Sequence, residues 1–291
     1  MANPARRVAD NVPGPFFVDD TCIDCGACRW IAPVEFGHTS DRRQSCVVAQ
    51  PAGEAARAAA HRALVSCPTG SIGTGDKRGL ADVIRGFPYP LGGGVYHCGF
   101  HSRASFGAAS YLVVRPGGNV LVDSPRYNEP LMDRIEALGG VRWMFLTHRD
   151  DVADHARIAQ RFGCTRILHA RDVRPGTRGV ETKLTGRAPV AIADGVLAIP
   201  TPGHTEGSCC LLVGDDLFTG DHLAFSPVRG HLIAFVGACW HDWSVQRRSM
   251  RRLATYRFTR VLPGHGTPCA LAADAMAAQL DRCIEWMEGV G

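Results

Sequence analysis

The stretch FLTHRDDVADHARIA (145–159) places two histidines and three aspartates within eight residues. The apolar run before it predicts a β-strand, and the spacing after it predicts a helix that Gly163 ends. Imidazole and carboxylate groups are the side chains that bind zinc and iron, and functional residues concentrate on loops at the ends of rigid elements. The stretch therefore predicts a metal site at the end of a strand.

Three later pieces repeat this arrangement of a histidine or aspartate after an apolar strand, next to glycine or proline: TPGHTEGS (201–208), FTGDH (218–222) and LPGHG (262–266). Each piece alone is more typical of a turn, and DDVADH alone is compatible with a solvated helix start, where acidic residues are favoured. Four such pieces, mixed with alternating strands and helices, predict an α/β fold with one site built on strand-end loops.

The order and spacing of these pieces resemble the signature of the metallo-β-lactamase-fold superfamily, from about residue 90 to the C-terminus. That signature is H-x-H-x-D-H, a lone His in a P-G-H-[ST] turn, a bridging Asp and a final G-H. The resemblance implies a four-layer αββα sandwich and two metal ions. By position, His148 and His204 would bind the first ion, Asp154, His155 and His265 the second, and Asp221 would bridge both. Asp123, in LVDS, matches an aspartate that supports the ligands from outside.

The first piece departs from the family because Asp150 stands where the second histidine of H-x-H is expected, and two extra residues then precede Asp154. Asp150 is the first-ion ligand by direct count, and Asp151 would replace it if the insertion rearranges the turn. We expect Asp150, Asp154 and Asp221 to be the carboxylates that take part in catalysis. A carboxylate in place of an imidazole makes the site harder and more anionic, which favours iron over zinc.

A second motif lies near the N-terminus, where TCIDCGACRWIAP (21–33) carries Cys22, Cys25 and Cys28, and Cys67 precedes Pro68. A C-x2-C-x2-C run with a distant Cys-Pro resembles bacterial ferredoxins and implies one [4Fe-4S] cluster held by these four cysteines. A second Cys-Pro would accompany a second cluster, but Ala32-Pro33 occupies that place. A structural zinc site and free thiols are the alternatives, although a zinc ribbon needs two separated C-x2-C pairs. Residues 54–67 predict a helix that delivers Cys67, and Cys46 is expected to be a buried apolar residue.

Composition sets further limits. The chain has 291 residues, a net charge of +4 and no apolar run of the roughly 20 residues that span a bilayer, so we expect neither a membrane nor a nucleic-acid partner. No secretory signal is recognisable, which predicts a cytoplasmic protein with reduced cysteines. We expect a small α+β ferredoxin-like domain (1–75), a linker with a short helix (76–92) and the metallo-β-lactamase-fold domain (93–291).

Two functions follow from these features. Two zinc or iron ions would make the protein a hydrolase of ester, thioester, lactone or phosphodiester bonds, with a structural or regulatory cluster. Two irons would make it an oxidoreductase, and flavodiiron reductases and some di-iron hydroxylases of this fold carry a carboxylate, usually Glu, at the Asp150 position. Only the second function needs electrons, so the cluster favours an oxidoreductase that acts on a small molecule and is supplied by an external reductase. His97, Cys98 and His101 are additional candidates for the lining of a substrate pocket.

Overall fold

The computed structural model describes residues 2–290, which divide into two compact units. The first unit comprises residues up to 119 together with 124–140 and 153–158, and the second comprises 120–123, 141–152 and the residues from 159 onward. Among residues 2–290, no helix has both the length and the apolar character needed to cross a membrane. The domain boundaries expected from the sequence (1–75, 76–92 and 93–291) remain a prediction.

The first unit begins with a small α+β arrangement around the cysteine motif. Strands β1 and β4 pair antiparallel, as do β2 and β3, and a core of Phe16, Val47 and Ala63 packs between them and the helices. The elements are β1 (Phe16–Val18), α1 (Ala27–Ile31), β2 (Phe36–His38), β3 (Ser45–Val47), α2 (Gly53–Ser66) and β4 (Ile72–Thr74).

The predicted helix before Cys67 is confirmed, because α2 ends at Ser66 and Cys67 is its C-cap. Alanine and leucine are strong helix formers, and they dominate this segment. Cys46 is buried with 2% of its surface exposed, as expected for a small apolar residue. The cysteines of the motif therefore come from a loop and the short helix α1 on one side and from the end of α2 on the other.

The segment 76–92 contains more structure than its glycine and proline content predicts. The short helix α3 (Leu80–Arg85) is confirmed, but the supposed linker also contains β5 (Tyr89–Gly92). This strand pairs antiparallel with β6 (Val95–His97), which pairs with β7 (Tyr111–Val113). The register between β5 and β6 is irregular between Pro90 and Gly92. Proline cannot donate a hydrogen bond to the ladder and is confined to sheet edges and bulges.

The second unit contains a parallel sheet whose first two strands are apolar throughout, as is usual for buried parallel strands. Its order is β8 (Val120–Val122), β9 (Trp143–Phe145), β10 (Thr165–His169) and β11 (Thr182–Leu184). Helix α4 (Glu129–Ala137) belongs to the first unit, and α5 (His155–Phe162) begins in the first unit and ends in the second.

A six-stranded sheet completes the second unit in the order β12-β13-β14-β15-β18-β19, and β16 pairs with β17. Met250 and Leu253 of α6 and Leu280 of α7 pack against Ile199 and Leu217 of this sheet. The elements are β12 (Val190–Ala193), β13 (Val196–Pro200), β14 (Cys209–Val213), β15 (Asp216–Gly220), β16 (Ala224–Ser226), β17 (His231–Ile233), α6 (Trp243–Leu253), β18 (Arg260–Pro263), β19 (Cys269–Ala270) and α7 (Ala273–Gly289).

The topology explains why the four polar pieces can meet. Each piece spans or follows the C-terminal end of a strand, namely β9, β13, β15 and β18. Strands β15 and β18 are parallel, with Gly220 opposite Pro263, and β13 runs in the same direction because β14 is antiparallel to both β13 and β15. Three of the pieces therefore lie at one edge of the six-stranded sheet.

Candidate metal centres

His148 and His204 face each other in the second unit, with ring centroids 4.7 Å apart and planes nearly perpendicular. Both imidazoles are buried, at 1% and 2% exposure, and the Nε2 atom of each has no hydrogen-bond partner. A buried polar atom without a partner is costly in a native protein. Two such atoms pointing into one space are the expected sign of metal ligands.

The Nδ1 atoms of both rings are fixed by hydrogen bonds. His204 Nδ1 lies 2.6 Å from the carbonyl oxygen of Ala238 and donates to it. His148 Nδ1 lies 3.0 Å from the Thr147 hydroxyl, whose own proton is directed to Asp123 at 2.9 and 3.0 Å. A hydrogen bond at one ring nitrogen selects the tautomer that leaves the other free to bind a metal. Asp123 thus supports His148 from outside, as the resemblance implies.

Three aspartates converge on these histidines. One ion-sized grouping consists of His148, Asp150 and His204, and a second consists of His148, Asp151 and Asp221; in each grouping the ligand atoms lie within 4.8 Å of one another. The Oδ2 atom of Asp221 is 3.8 Å from Nε2 of both histidines, which brings the two groupings together. The five side chains therefore form one continuous cluster of potential cation ligands.

Asp150 and Asp151 differ in environment. The Asp150 side chain is 48% exposed, and its Oδ2 lies 4.0 Å from His148 Nε2 and 3.9 Å from His204 Nε2. Asp151 is 1% exposed, and neither of its carboxylate oxygens has a hydrogen-bond partner. Sequence reasoning left the choice between them open, and the geometry gives each a place: Asp150 beside the two histidines and Asp151 beside Asp221.

Gly264, in the LPGHG piece, is required by close packing on this pair of carboxylates. A Cβ at this position would lie 2.6 Å from Asp151 Oδ2 and 3.1 Å from Asp221 Oδ1. Contacts below 3.0 Å are not tolerated by a Cβ atom without a shift of its neighbours. The glycine therefore lets the β18 loop approach the site.

Protonation of the metal-free site is set by burial and by its neighbours. Burial lowers the pKa of His148 to about 4, so this imidazole is neutral at pH 7 and can bind a cation. Burial also raises the pKa of Asp151 well above its usual range, reinforced by the charge of Asp221. Burial alone would raise the pKa of Asp221. The charge and the hydrogen bond of His265 outweigh this effect and hold the pKa of Asp221 below its usual range. A cation at this site would therefore have to compete with a proton for Asp151.

The remaining residues expected as second-ion ligands are placed differently. His265 contacts Asp221, with Nδ1 2.8 and 2.9 Å from its two oxygens. Asp154 accepts a hydrogen bond of 2.7 Å from the Tyr127 amide, and His155 is buried at the first position of α5. Within the described chain, neither ion-sized grouping includes Asp154, His155 or His265. Their part in binding a second ion therefore remains a prediction.

Sequence reasoning missed Asp172, a buried carboxylate after β10 that joins the two ligand loops. It accepts hydrogen bonds from the Arg149 amide at 3.0 Å, the Thr205 hydroxyl at 2.5 Å and the Gly207 amide at 2.9 Å. One side chain thus fixes the residue after His148 and the residue after His204. Its position in the sequence could have indicated this role. Asp172 follows β10, which is parallel to β9, so it lies at the same edge of the sheet as His148.

His222 was also missed as a separate site residue. It is 1% exposed, and neither of its ring nitrogens has a hydrogen-bond partner. Burial lowers the pKa of His222 to about 3, and the charge of His204 acts in the same direction. A neutral imidazole next to the predicted bridging Asp221 is therefore part of the same polar region.

The four motif cysteines form a distinct site in the first unit. One cavity is lined by all four cysteines, namely Cys22, Cys25, Cys28 and Cys67, together with Pro68 and with apolar and hydroxyl side chains. Burial raises the pKa of Cys25 and of Cys28 to about 12, so their thiolates need a bound cation to form at neutral pH.

Backbone amides complete this cysteine site. Ser45 N–H donates to Cys22 Sγ at 3.4 Å, and Ser71 N–H donates to Cys67 Sγ at 3.3 Å. Hydrogen bonds of this kind to cysteine sulfur tune the potential of iron–sulfur clusters. The donor set, the cavity and the amides together fit a cubane cluster.

Comparison with known proteins identifies relatives of both parts of the chain. Residues 18–74 match the family model described as the 4Fe-4S single cluster domain of Ferredoxin I. A hydroxyacylglutathione hydrolase of Acidiphilium cryptum (strain JF-5) is 30% identical over 135 residues, which are 45% of this chain and 55% of that protein. The chain thus spans about half the length of that curated relative.

Two solved structures are similar in fold. The DIM-1 metallo-β-lactamase has a TM-score of 0.53 at 16% identity, and the match covers 69% of this chain and 96% of that chain. The metallo-β-lactamase from Hirschia baltica has a TM-score of 0.51 at 16% identity, and the match covers 67% and 95%. At this identity the likeness establishes the fold alone. The chain therefore joins a single-cluster [4Fe-4S] ferredoxin domain to a domain with the metallo-β-lactamase fold.

Proposed function

We propose that this protein is a dinuclear metalloenzyme that uses electrons from its [4Fe-4S] cluster for oxidoreductase chemistry at two irons. The observation that carries the proposal is the donor set of the second site, in which three aspartates join two histidines, in a chain that also carries a cluster cradle. Carboxylate oxygens are hard ligands that stabilise the ferric state and suit iron better than an all-imidazole set.

The chain's own residues would perform separate tasks. His148, Asp150 and His204 would hold one iron, and Asp151 and Asp221 would contribute carboxylates to the second. Asp154, His155 and His265 remain the second-ion ligands expected from the family pattern. When bound, the pair of ions would supply two one-electron changes and open positions for a small oxidant such as oxygen. His265 would hold the Asp221 carboxylate in its orientation through the Nδ1 hydrogen bond.

A second candidate function is hydrolysis, and the curated relative favours it. That relative is a hydroxyacylglutathione hydrolase, so a thioester of glutathione is the substrate class to test. Two divalent ions would then lower the pKa of a bound water to near neutrality and polarise the thioester carbonyl. In this case the cluster would be structural or regulatory, and turnover would need no electrons.

Metal content separates the two functions. Protein purified without oxygen should contain about six irons per chain for a cluster with two irons, or about four irons and two zincs for the hydrolase. The proposal predicts the first ratio, together with oxygen consumption that depends on an added reductase or chemical reductant. Zinc in the second site with rapid hydrolysis of a hydroxyacylglutathione would refute it.

A matched pair of cysteine variants tests whether the cluster supplies the electrons. Cys25→Ser removes a motif cysteine, whereas Cys46→Ser changes a buried cysteine of the same domain that does not line the cluster cavity. We expect Cys25→Ser to lose reductant-dependent turnover while the two other ions remain bound, and Cys46→Ser to retain turnover. Equal turnover in the two variants would favour the hydrolase.

A further inference from the structure

The end of β6 and the connection from β6 to β7 (98–110) carry the residues that the sequence offered as pocket candidates, and the structure buries them. His97, Cys98 and His101 are 3%, 0% and 1% exposed. The Nε2 atoms of His97 and His101 lie 2.7 Å apart, close enough for one ring to donate a hydrogen bond to the other. These side chains are therefore packed inside the first unit and do not line an open pocket.

This connection contacts the cluster cradle at Cys25. A Cβ added to Gly107 would lie 2.8 Å from Cys25 Cβ, 2.9 Å from Cys25 Sγ and 2.9 Å from Pro68 Cγ. Gly107 also has φ +89°, which is strained for any other residue. The backbone at Gly107 thus lies directly against a motif cysteine and against the proline that follows another.

A second, independent contact involves the helix that carries Cys28. The indole of Trp30, two residues after Cys28 on α1, meets the His97 ring edge-on at 5.0 Å between centroids. The His97 ring then meets the His101 ring at the same centroid distance. The end of β6, which leads into the connection, is therefore also packed against the helix of the cysteine motif.

The connection is held in shape by its own backbone. Gly107 N–H donates to the Ser102 carbonyl at 2.9 Å, and Ala108 N–H donates to the Ser105 carbonyl at 2.9 Å. The Ser102 hydroxyl also accepts from the Ala104 amide, which caps the turn at 103–105. These hydrogen bonds within the loop hold Gly107 in place against Cys25.

We propose that the β6–β7 connection is a wall of the cluster site, although it lies outside the segment that matches the ferredoxin family. It shields the Cys25 side of the cluster from water and thereby lowers the reduction potential. The reason is electrostatic: a reduced cluster with four thiolates carries one more negative charge than the oxidised cluster, and water stabilises that charge better than packed protein does. The proposal rests on the cluster and not on the chemistry of the second site.

The test compares two glycines that share a left-handed backbone. Gly107→Ala forces a Cβ against Cys25 and Pro68, whereas Gly92→Ala, at φ +86°, adds a Cβ with nothing within 4 Å. Backbone strain is present in both variants, so the difference between them reports the contact. The measurements on full-length, cluster-loaded protein are the midpoint potential, from a redox titration followed by electron paramagnetic resonance, and the rate at which an iron chelator bleaches the cluster.

We expect Gly107→Ala to lose iron to the chelator about tenfold faster than Gly92→Ala and to have a more positive potential. A tenfold rise in the ratio of reduced to oxidised cluster at fixed potential corresponds to about 59 mV for a one-electron couple. Equal bleaching rates and equal potentials in the two variants would overturn the proposal.

A second pair of variants keeps the test decisive if Gly107→Ala does not fold. Trp30→Ala removes the ring between α1 and His97, and Trp143→Ala removes a partly exposed tryptophan from β9 as the control. If the β6–β7 connection shields the cluster, only Trp30→Ala should show faster bleaching of the cluster and a more positive midpoint potential. The same values in both tryptophan variants would contradict the proposal.

Discussion

The Nε2 atoms of His148 and His204 each lie 3.8 Å from the same oxygen of Asp221, and neither has a hydrogen-bond partner. The two imidazoles come from different strand ends, after β9 and after β13, and the carboxylate comes from a third, after β15. A shared carboxylate between two imidazoles is an arrangement suited to cations, because otherwise the buried nitrogens would remain unsatisfied.

Asp151 and Asp150 should differ when each is changed to asparagine. Asp151→Asn removes a buried carboxylate beside Asp221, so we expect the affinity for one of the two ions to fall at least about tenfold, since outer-shell changes alone have effects of that size. Titration of metal-free protein with Co2+, followed by visible spectroscopy, measures the loss. Asp150→Asn should weaken the ion bound by His148 and His204 instead. If neither variant changes either affinity, the assignment of these aspartates is wrong.

Metal binding should release a proton from Asp151. Its pKa is raised by burial and by Asp221, so the carboxyl is protonated in the metal-free protein at pH values where an ordinary aspartate is ionised, and a cation must displace that proton. Metal affinity should therefore fall as the pH is lowered. Calorimetric titrations in buffers of different ionisation enthalpy count the protons. The Asp151→Asn protein should release about one proton fewer than the wild type, and an equal number would refute this source.

Asp172 should act on the metal ions through the loops that it joins. Asparagine has one acceptor oxygen, so Asp172→Asn cannot accept from the Gly207 amide and from the Arg149 and Thr205 groups together. We expect metal affinity to fall about 10-fold to 100-fold, with an altered Co2+ spectrum. Glu206→Gln, an exposed carboxylate of the same loop, is the control and should be unchanged. Identical spectra and affinities for the two variants would leave Asp172 with a packing role only.

The strand ends that carry the site were predictable because each depends on a short, local pattern. An apolar run before His148, or one before Asp221, predicts a strand whose end carries the polar residue. The helix that delivers Cys67 was predictable for the same reason. The spacing of Cys22, Cys25 and Cys28 was sufficient to predict the cluster domain.

Other features depend on the folded chain and could not be predicted in this way. The two-residue insertion after Asp150 decides which carboxylate faces Asp221, and that choice depends on the turn and on Gly264 from a distant loop. The strand β5 is hidden by the composition of residues 76–92, which is typical of a linker. The contact of Gly107 with Cys25 joins residues far apart in sequence and leaves no local pattern.

The most direct test of the central claim is to count the electrons that the oxygen-free protein accepts from a chemical reductant. A cubane cluster takes one electron and each ferric ion takes one, so the account predicts roughly three electrons per chain, with the signal of the second site changing together with that of the cluster. Uptake of about one electron per chain, with two zincs in the second site, would contradict the account.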